Sequence, residues 1–262
     1  MRGIGKLGES VWLQYDELRY AAAVIGTVLY LSVRPRYWGR TMRDLFARQV
    51  LAVGVEPLAF VSAVAVLVGI SLVVQLGFWT GQAGQSALLG PLLVTVVMRE
   101  LGLILTNIVV IVRSSSAMAT EMGVLKASGG VRALEAQGVD PFLHLVMPRV
   151  LGVALATFCL TIVFILVAFA SGYVFGAWLG KGSRDLWFFT NTVLNALRPQ
   201  DIVGILAKSI LPALFTSASC CIGGLSVGGS FTNIPPATQR ALTRSIAGLF
   251  VISAVVSMLS YL

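Results

Sequence analysis

The chain has 262 residues, of which 57% are hydrophobic and 11% are charged, and its formal net charge is +8. Soluble domains carry about 25% charged residues. A soluble fold of this length cannot bury so much apolar surface, so lipid must surround most of it. The positive charge does not indicate nucleic acid as a partner, because the basic residues cluster at the ends of apolar segments, where they set membrane topology.

The first apolar run covers residues 20–33. As a helix it would reach about 21 Å, which is short of the ~30 Å hydrocarbon core. The next stretch places arginines on one helical face and apolar side chains on another (Arg36, Arg40 and Arg43 against Trp38, Met42, Leu45 and Phe46). This pattern is typical of an interfacial helix on an anionic leaflet, with a solvated basic helix as the alternative. We therefore predict an N-terminal region of cytoplasmic and interfacial helices over residues 1–54.

Five later apolar segments are predicted to cross the membrane and to form a permease domain over residues 55–262. The uncharged run 57–98 is too long for one crossing, and the polar sequence WTGQAGQS at 79–86 divides it. The predicted spans are 57–79, 87–112, 150–180, 202–227 and 246–262. The apolar sequence LWFFTNTVLNAL, within the loop 181–199, is predicted to form an interfacial helix on the outer side.

Lysine and arginine counts predict the orientation of these spans. Eight precede the first span, four lie in the 113–149 loop and two lie in the 228–245 loop. The turn at 80–86 has none and the 181–199 loop has three. The positive-inside rule therefore places the N-terminus in the cytoplasm and the C-terminus outside.

The second span carries two adjacent charges, Arg99 and Glu100, in the sequence VTVVMRELGLILTN at 94–107. The apolar runs on either side are each too short to cross the ~30 Å core, so both charges lie within one helix. Each central charge costs about 2.5–3.5 kcal/mol on insertion scales, so both need partners. Neighbouring helical residues point about 100° apart and cannot satisfy each other. We predict that Glu100 pairs with Lys208 of the fourth span and that Arg99 faces backbone carbonyls or a polar headgroup. A purely structural charge cluster that pins the helices together is the alternative.

The loop 113–149 is the longest polar stretch between spans. It contains a short helical pattern, VRALEAQ, which Gly138 is placed to stop and Pro141 prevents from continuing. This element is either a docking site for a soluble partner or an ordinary connecting loop.

The same part of the chain strongly resembles the MlaE/YrbE family, the permease subunits of MCE-linked ABC lipid transporters. The resemblance covers about residues 20–262, and the order and spacing of its motifs are specific. The motifs are RELG at 99–102, AMATEMG at 117–123, ALE at 133–135, GVDP at 138–141 and PR at 148–149, with RQ at 48–49, LAKSI at 206–210 and ATQRAL at 237–242 in support.

The resemblance implies an all-α integral membrane protein of the bacterial inner membrane, with its C-terminus in the periplasm. It implies a homodimeric ABC permease with an N-terminal interfacial helix and five transmembrane helices per subunit. The implied partners are a second copy, cytoplasmic ABC ATPase subunits, a periplasmic MCE-domain protein and often a STAS-domain protein. The implied cargo is phospholipid or a related hydrophobic lipid, with Arg99, Glu100 and Lys208 in the lipid path. The implied ATPase-coupling residues are Glu121, Lys126, Arg132, Ala133, Leu134 and Glu135.

The chain departs from the family pattern in four places, which indicates a divergent branch. Gly129-Gly130 stands where members typically have Glu-Gln, and Arg132 replaces an acidic residue. Ser253 stands where the last span often has an aspartate, and VRSSS replaces a glycine-rich segment.

We expect no catalytic residue, metal site or bound cofactor in this chain. The cysteines lack metal-ligand spacing and are predicted to be small buried hydrophobes (Cys159, Cys220 and Cys221). The nearest phosphate-loop sequence, GAWLGKGS at 176–183, fails the glycine spacing, so ATP and magnesium are expected on a partner ATPase. An ion-coupled secondary carrier and a membrane scaffold for a lipid-transfer complex stay open as alternatives. Such a carrier would work without an ATPase, and carriers often contain internal repeats.

Overall fold

The computed structural model describes residues 19–34, 38–82, 89–178, 187, 190–191, 194–195 and 198–261. This part of the chain is helical and contains no strand. Five helices in it are long and apolar enough to cross a membrane: Arg40–Trp79, Val94–Ala127, Phe142–Trp178, Gln200–Leu225 and Phe231–Ser260. The predicted all-α class and the predicted number of spans are therefore confirmed.

Two helices precede the predicted first span, residues 57–79. Helix α1 (Arg19–Ser32) is too short to cross a bilayer, as predicted, and α2 (Arg40–Gly54) continues almost directly into α3 (Leu58–Gln82). The two predicted faces of α2 are present, with Met42 buried and Arg43 exposed. Leu45, predicted on the apolar face, is exposed, and Arg36 lies outside the described residues.

The second span is one continuous helix of five segments: α4 (Leu89–Val96), a π-helical turn (Val97–Leu101), α5 (Gly102–Val110), a second π-helical turn (Ile111–Ser115) and α6 (Ser116–Ala127). Residues 113–127 were predicted to be loop, and that prediction is wrong. A polar sequence can extend a helix beyond the bilayer when one face stays buried, and Met118, Ala119 and Met122 supply that face.

Two glycines with left-handed backbone shape the turn after this helix. Gly129 has φ of 79° and joins α6 to α7 (Gly130–Ala136), while Gly138 has φ of 76° and follows α7. The Gly138 N–H donates to the Glu135 carbonyl at 3.0 Å, which confirms the predicted helix stop. L side chains avoid this backbone region, so the left-handed turn explains why residue 129 is a glycine.

The remaining spans are α8 (Met147–Trp178), which follows a π-helical turn (Phe142–Val146), then α9 (Pro199–Leu225) and α10 (Ile234–Tyr261). The last span was predicted to begin at 246, but its helix begins at Ile234. Ala241, Ser245 and Leu249 are buried at four-residue spacing, so the helix continues past its charged residues as an amphipathic extension.

Helix α9 occupies the centre of the bundle. In an apolar stretch of 18 residues of this helix 67% is buried, against 17% in the corresponding stretch of the last span. Small residues allow the close contacts around it and elsewhere: a Cβ on Gly223 would lie 2.6 Å from the Ala241 Cβ, and one on Gly69 would lie 2.3 Å from the Ala168 carbonyl oxygen. The missing side chain at Gly69 therefore allows α3 and α8 to approach closely.

Three predictions need correction or lie outside the described residues. Cys220 and Cys221 are buried as predicted, but Cys159 is exposed on the bundle surface. The turn predicted at 79–86 is helical as far as Gln82, and the rest of it is not described. Most of the helix predicted between 181 and 199 also lies outside the described residues.

Candidate functional site

Lys208 of α9 and Glu100 of the first π-helical turn form an ion pair inside the bundle. Lys208 Nζ lies 2.6 Å from Glu100 Oε1 and also donates to the Arg99 carbonyl oxygen at 2.8 Å. The Lys208 side chain is only 5% exposed, and that of Glu100 is 39% exposed. The ion pair predicted from the sequence is therefore present, and its cation lies on the buried side.

Arg99 pairs with Asp201, a residue that the sequence reasoning missed. Arg99 Nε lies 2.8 Å from Asp201 Oδ1, and Arg99 Nη2 donates to Asp201 Oδ2 at 3.0 Å. The sequence predicted backbone carbonyls or a polar headgroup beside Arg99; the partner that the structure shows is the Asp201 carboxylate on α9. A signal was available: Asp201 and Lys208 are seven residues apart, which places them on one face of a helix about 10 Å apart.

The two ion pairs run along the same contact between helices. Arg99 and Glu100 are adjacent, yet their partners lie two helical turns apart on α9. Both residues lie in the π-helical turn Val97–Leu101, a wider turn that is rare and occurs often at functional sites. Further along, the Asn107 side chain donates to the Leu103 carbonyl at 2.8 Å and to the Lys208 carbonyl at 3.4 Å. Polar groups thus join these two helices over several turns.

The last span supplies a hydroxyl group to this network. Ser257 Oγ donates to Glu100 Oε1 at 2.8 Å, so Glu100 connects three helices. Ser253 lies one turn away on α10 and is 4% exposed. Within the network, two cations face two carboxylates and their formal charges cancel.

The residues of the predicted coupling region divide into two groups. Glu121 of α6 forms an ion pair with Arg149 of α8, with Arg149 Nη2 3.2 Å from Glu121 Oε2. The pair ties α6 to α8 within the chain. The other five residues lie on the surface, with Leu134 half-buried and the rest exposed (Lys126, Arg132, Ala133 and Glu135).

The structure does not bring the coupling region and the charge network into contact, but one helix connects them. Glu100 and Glu121 lie on the continuous helix that ends at Ala127. The 21 residues that separate them correspond to about 31 Å of helix.

Within the described ranges, no group of three or more histidine, cysteine, aspartate or glutamate residues is placed to hold a metal ion. The charge network itself consists of two ion pairs and the Ser257 hydroxyl group.

Comparison with known proteins places these features in a family. The sequence model of the family described as Permease MlaE matches residues 46–259. The chain is 28% identical over 221 residues to Protein TRIGALACTOSYLDIACYLGLYCEROL 1, chloroplastic, of Arabidopsis thaliana, an alignment that covers 84% of this chain and 61% of that protein.

Two bacterial relatives are aligned over most of their length. The Probable ABC transporter permease protein slr1045 of Synechocystis sp. is 28% identical over 223 residues, which cover 85% of this chain and 84% of the relative. The Intermembrane phospholipid transport system permease protein MlaE of Haemophilus influenzae is 25% identical over 217 residues, which cover 80% and 82%.

Proposed function

The chain belongs to the MlaE permease family, and on that premise we propose that it moves phospholipid, or a related hydrophobic lipid, between the inner membrane and a periplasmic MCE-domain protein. It is a multi-pass ABC permease subunit for lipid rather than an enzyme. The name of the Haemophilus influenzae relative, which refers to intermembrane phospholipid transport, supports the phospholipid cargo.

The observation that carries this proposal is the charge network of Arg99, Asp201, Glu100 and Lys208 within an apolar bundle. Charges at membrane depth are expensive and typically mark a substrate path. A phospholipid has a polar headgroup and apolar acyl chains, so its passage requires both polar groups and apolar walls. The paired side chains supply polar partners for the headgroup, and the apolar faces of the spans accept the acyl chains.

In this proposal the energy comes from a separate ABC ATPase, which binds ATP and magnesium. The exposed surface formed by Lys126, Arg132, Ala133 and Glu135, together with Leu134, is the docking site for that subunit. Glu121 contributes to this site through its ion pair with Arg149, which holds α6 against α8. ATP binding displaces α6 and α7, and the continuous helix transmits the displacement to Arg99 and Glu100.

Two copies of the chain surround the lipid path in the proposed assembly, and a STAS-domain protein is a further possible subunit. The N-terminus lies in the cytoplasm and the C-terminus in the periplasm, as the distribution of lysine and arginine predicts. The division into an N-terminal region, residues 1–54, and a permease domain, residues 55–262, belongs to this proposal.

Reconstitution tests the proposed function. The chain is purified with its ATPase and MCE-domain partners and inserted into vesicles that contain a fluorescent phospholipid. We expect ATP-dependent transfer of the phospholipid, and we expect that an ATPase variant unable to hydrolyse ATP abolishes it. Transfer at the same rate by the chain alone, without ATP, would identify an ion-coupled carrier and overturn the proposal.

A further inference from the structure

A pocket lies beside the charge network, at the end of the bundle where α9 begins and α10 ends. Its polar lining consists of three cations, one carboxylate, one amide and one hydroxyl (Arg99, Arg198, Lys208, Asp201, Gln200 and Ser260). Leu103, Gly204 and Ile205 form the apolar part of the wall. Three of these six polar groups, Arg198, Gln200 and Ser260, lie outside the charge network.

Arg198 determines the net formal charge of the described pocket residues and their ion-pair partners. The charges of Arg99 and Asp201 cancel each other, and Glu100 cancels that of Lys208. Arg198 is exposed at the start of α9. Its backbone exchanges two hydrogen bonds with Asp201: the Arg198 N–H donates to Asp201 Oδ2 at 2.9 Å, and the Asp201 N–H donates to the Arg198 carbonyl at 2.9 Å. Within the described part of the chain, no carboxylate forms an ion pair with the Arg198 guanidinium. The described lining residues and their ion-pair partners therefore carry one excess positive charge.

The donors around this pocket fit an oxyanion of the phosphate class. A guanidinium presents several N–H donors in a planar fork that matches phosphate, and hydrogen bonds between charged partners are the strong ones. The Gln200 amide adds a neutral donor at the same wall, whereas the Ser260 hydroxyl already donates to the Val256 carbonyl at 2.8 Å. The Asp201 carboxylate, by contrast, already accepts bonds from the Arg99 side chain and from the Arg198 backbone.

We propose that this pocket binds a phosphate oxyanion, that the oxyanion is the headgroup phosphate of a lipid with net negative charge, and that Arg198 determines this preference. The proposal rests on the proposed lipid-transport function and specifies its cargo. A zwitterionic headgroup brings an ammonium group as well as a phosphate, and both carboxylates near the pocket are already paired. A headgroup that carries only negative charge pairs with Arg198 and brings no ammonium group that would need a carboxylate partner.

The test measures which lipids remain bound to the protein. The intact transporter complex is incubated with vesicles of equal phosphatidylglycerol and phosphatidylcholine, purified in mild detergent, and analysed for bound lipid by mass spectrometry. The variant Arg198→Gln removes the excess charge but retains the backbone N–H that contacts Asp201. The matched control is Arg240→Gln, which removes an exposed arginine near the opposite end of α10.

We expect the wild-type complex to enrich phosphatidylglycerol about three- to fivefold over phosphatidylcholine, as expected for one partly exposed charge contact. Arg198→Gln abolishes this enrichment, and Arg240→Gln leaves it unchanged. Equal retention of both lipids by the wild type overturns the proposal, and so does the same loss of enrichment in both variants.

A second arm separates a lipid headgroup from free phosphate. Inorganic phosphate is added at increasing concentration to the wild-type complex in vesicles of phosphatidylcholine alone, and binding is followed by calorimetry. Saturable phosphate binding that Arg198→Gln removes, without any enrichment of anionic lipid, would identify a free-phosphate site and overturn the lipid assignment. ATP-dependent transfer of phosphatidylcholine that persists while the enrichment is absent would overturn this inference and leave the proposed function intact.

Discussion

Arg99 and Asp201 form a two-point ion pair between two membrane-spanning helices, with Nε 2.8 Å from Oδ1 and Nη2 3.0 Å from Oδ2. Such a pair defines the rotation and the height of one helix against the other, because both contacts require the planes of the two groups to match. The neighbouring pair of Glu100 and Lys208 adds a single-point contact between the same two helices, two turns further along α9.

Breaking the Arg99–Asp201 pair leaves a cation without its carboxylate. We expect Asp201→Ala to destabilise the protein by about 3 kcal/mol, since loss of one partner of a mostly buried pair strands the other charge. Thermal unfolding in detergent measures this effect. The double variant Arg99→Gln with Asp201→Ala should recover part of the loss. If Asp201→Ala lowers the unfolding temperature no more than Glu135→Ala at an exposed position, the pair does not stabilise the protein.

Replacing Lys208 separates its charge from its packing. Lys208→Ala leaves Glu100 without a cation, so we expect a reduction of about tenfold in transport rate, equivalent to about 1.4 kcal/mol. Lys208→Arg keeps the charge and should retain more activity. Lipid transfer and protein abundance are measured together. Full transfer by Lys208→Ala at normal abundance would show that the pairing has no functional role.

The two serines of α10 form a matched pair of variants. Ser257→Ala removes a hydrogen bond to a charged carboxylate, for which we expect a loss of about 1.5 kcal/mol in unfolding free energy. The hydroxyl of Ser253 is buried and forms no hydrogen bond with the described residues, so Ser253→Ala should be neutral or slightly stabilising. Equal effects of the two variants would contradict the assignment of Ser257 to the charge network.

Gly129 provides a test of the joint between α6 and α7. Its positive φ disfavours an L side chain, so Gly129→Ala should lower the stability of the protein by about 1 kcal/mol. Gly26→Ala in α1 is the control, because a Cβ there meets nothing within 4 Å and alanine favours a helix. Chemical or thermal denaturation compares the two. A stabilised Gly129→Ala protein would mean that the joint does not need its left-handed backbone.

Crosslinking tests the proposed ATPase-docking surface. Single cysteines at Lys126, Arg132 and Glu135, all exposed, should form crosslinks to the ATPase within the intact complex. A cysteine at Val131, which is 5% exposed, should not. Gel mobility after treatment with a crosslinker that joins a thiol to an amine reports the result. An absence of crosslinks from all three exposed positions would show that the ATPase docks elsewhere on the chain.

Some of the candidate site follows from local chemistry. Arg99 and Glu100 cannot satisfy each other on one helix, and Lys208 is the cation in the next charged span, so the Glu100–Lys208 pair was predictable. Asp201 was harder to identify because it lies in the first turn of α9, close to the predicted boundary of the span. A residue at a span boundary has water as an alternative partner, so its hydropathy alone does not show that it faces inward.

The sequence by itself determined that lipid surrounds the chain, that five helices cross the bilayer and that their central charges need partners. These conclusions follow from transfer free energies, which are large and depend on local composition. Only the tertiary structure decided that Asp201 pairs with Arg99, that Ser257 contacts Glu100 and that helices extend through residues 113–127 and 234–245. Those features depend on the rotation and register of one helix against another, which arise from packing across the whole bundle.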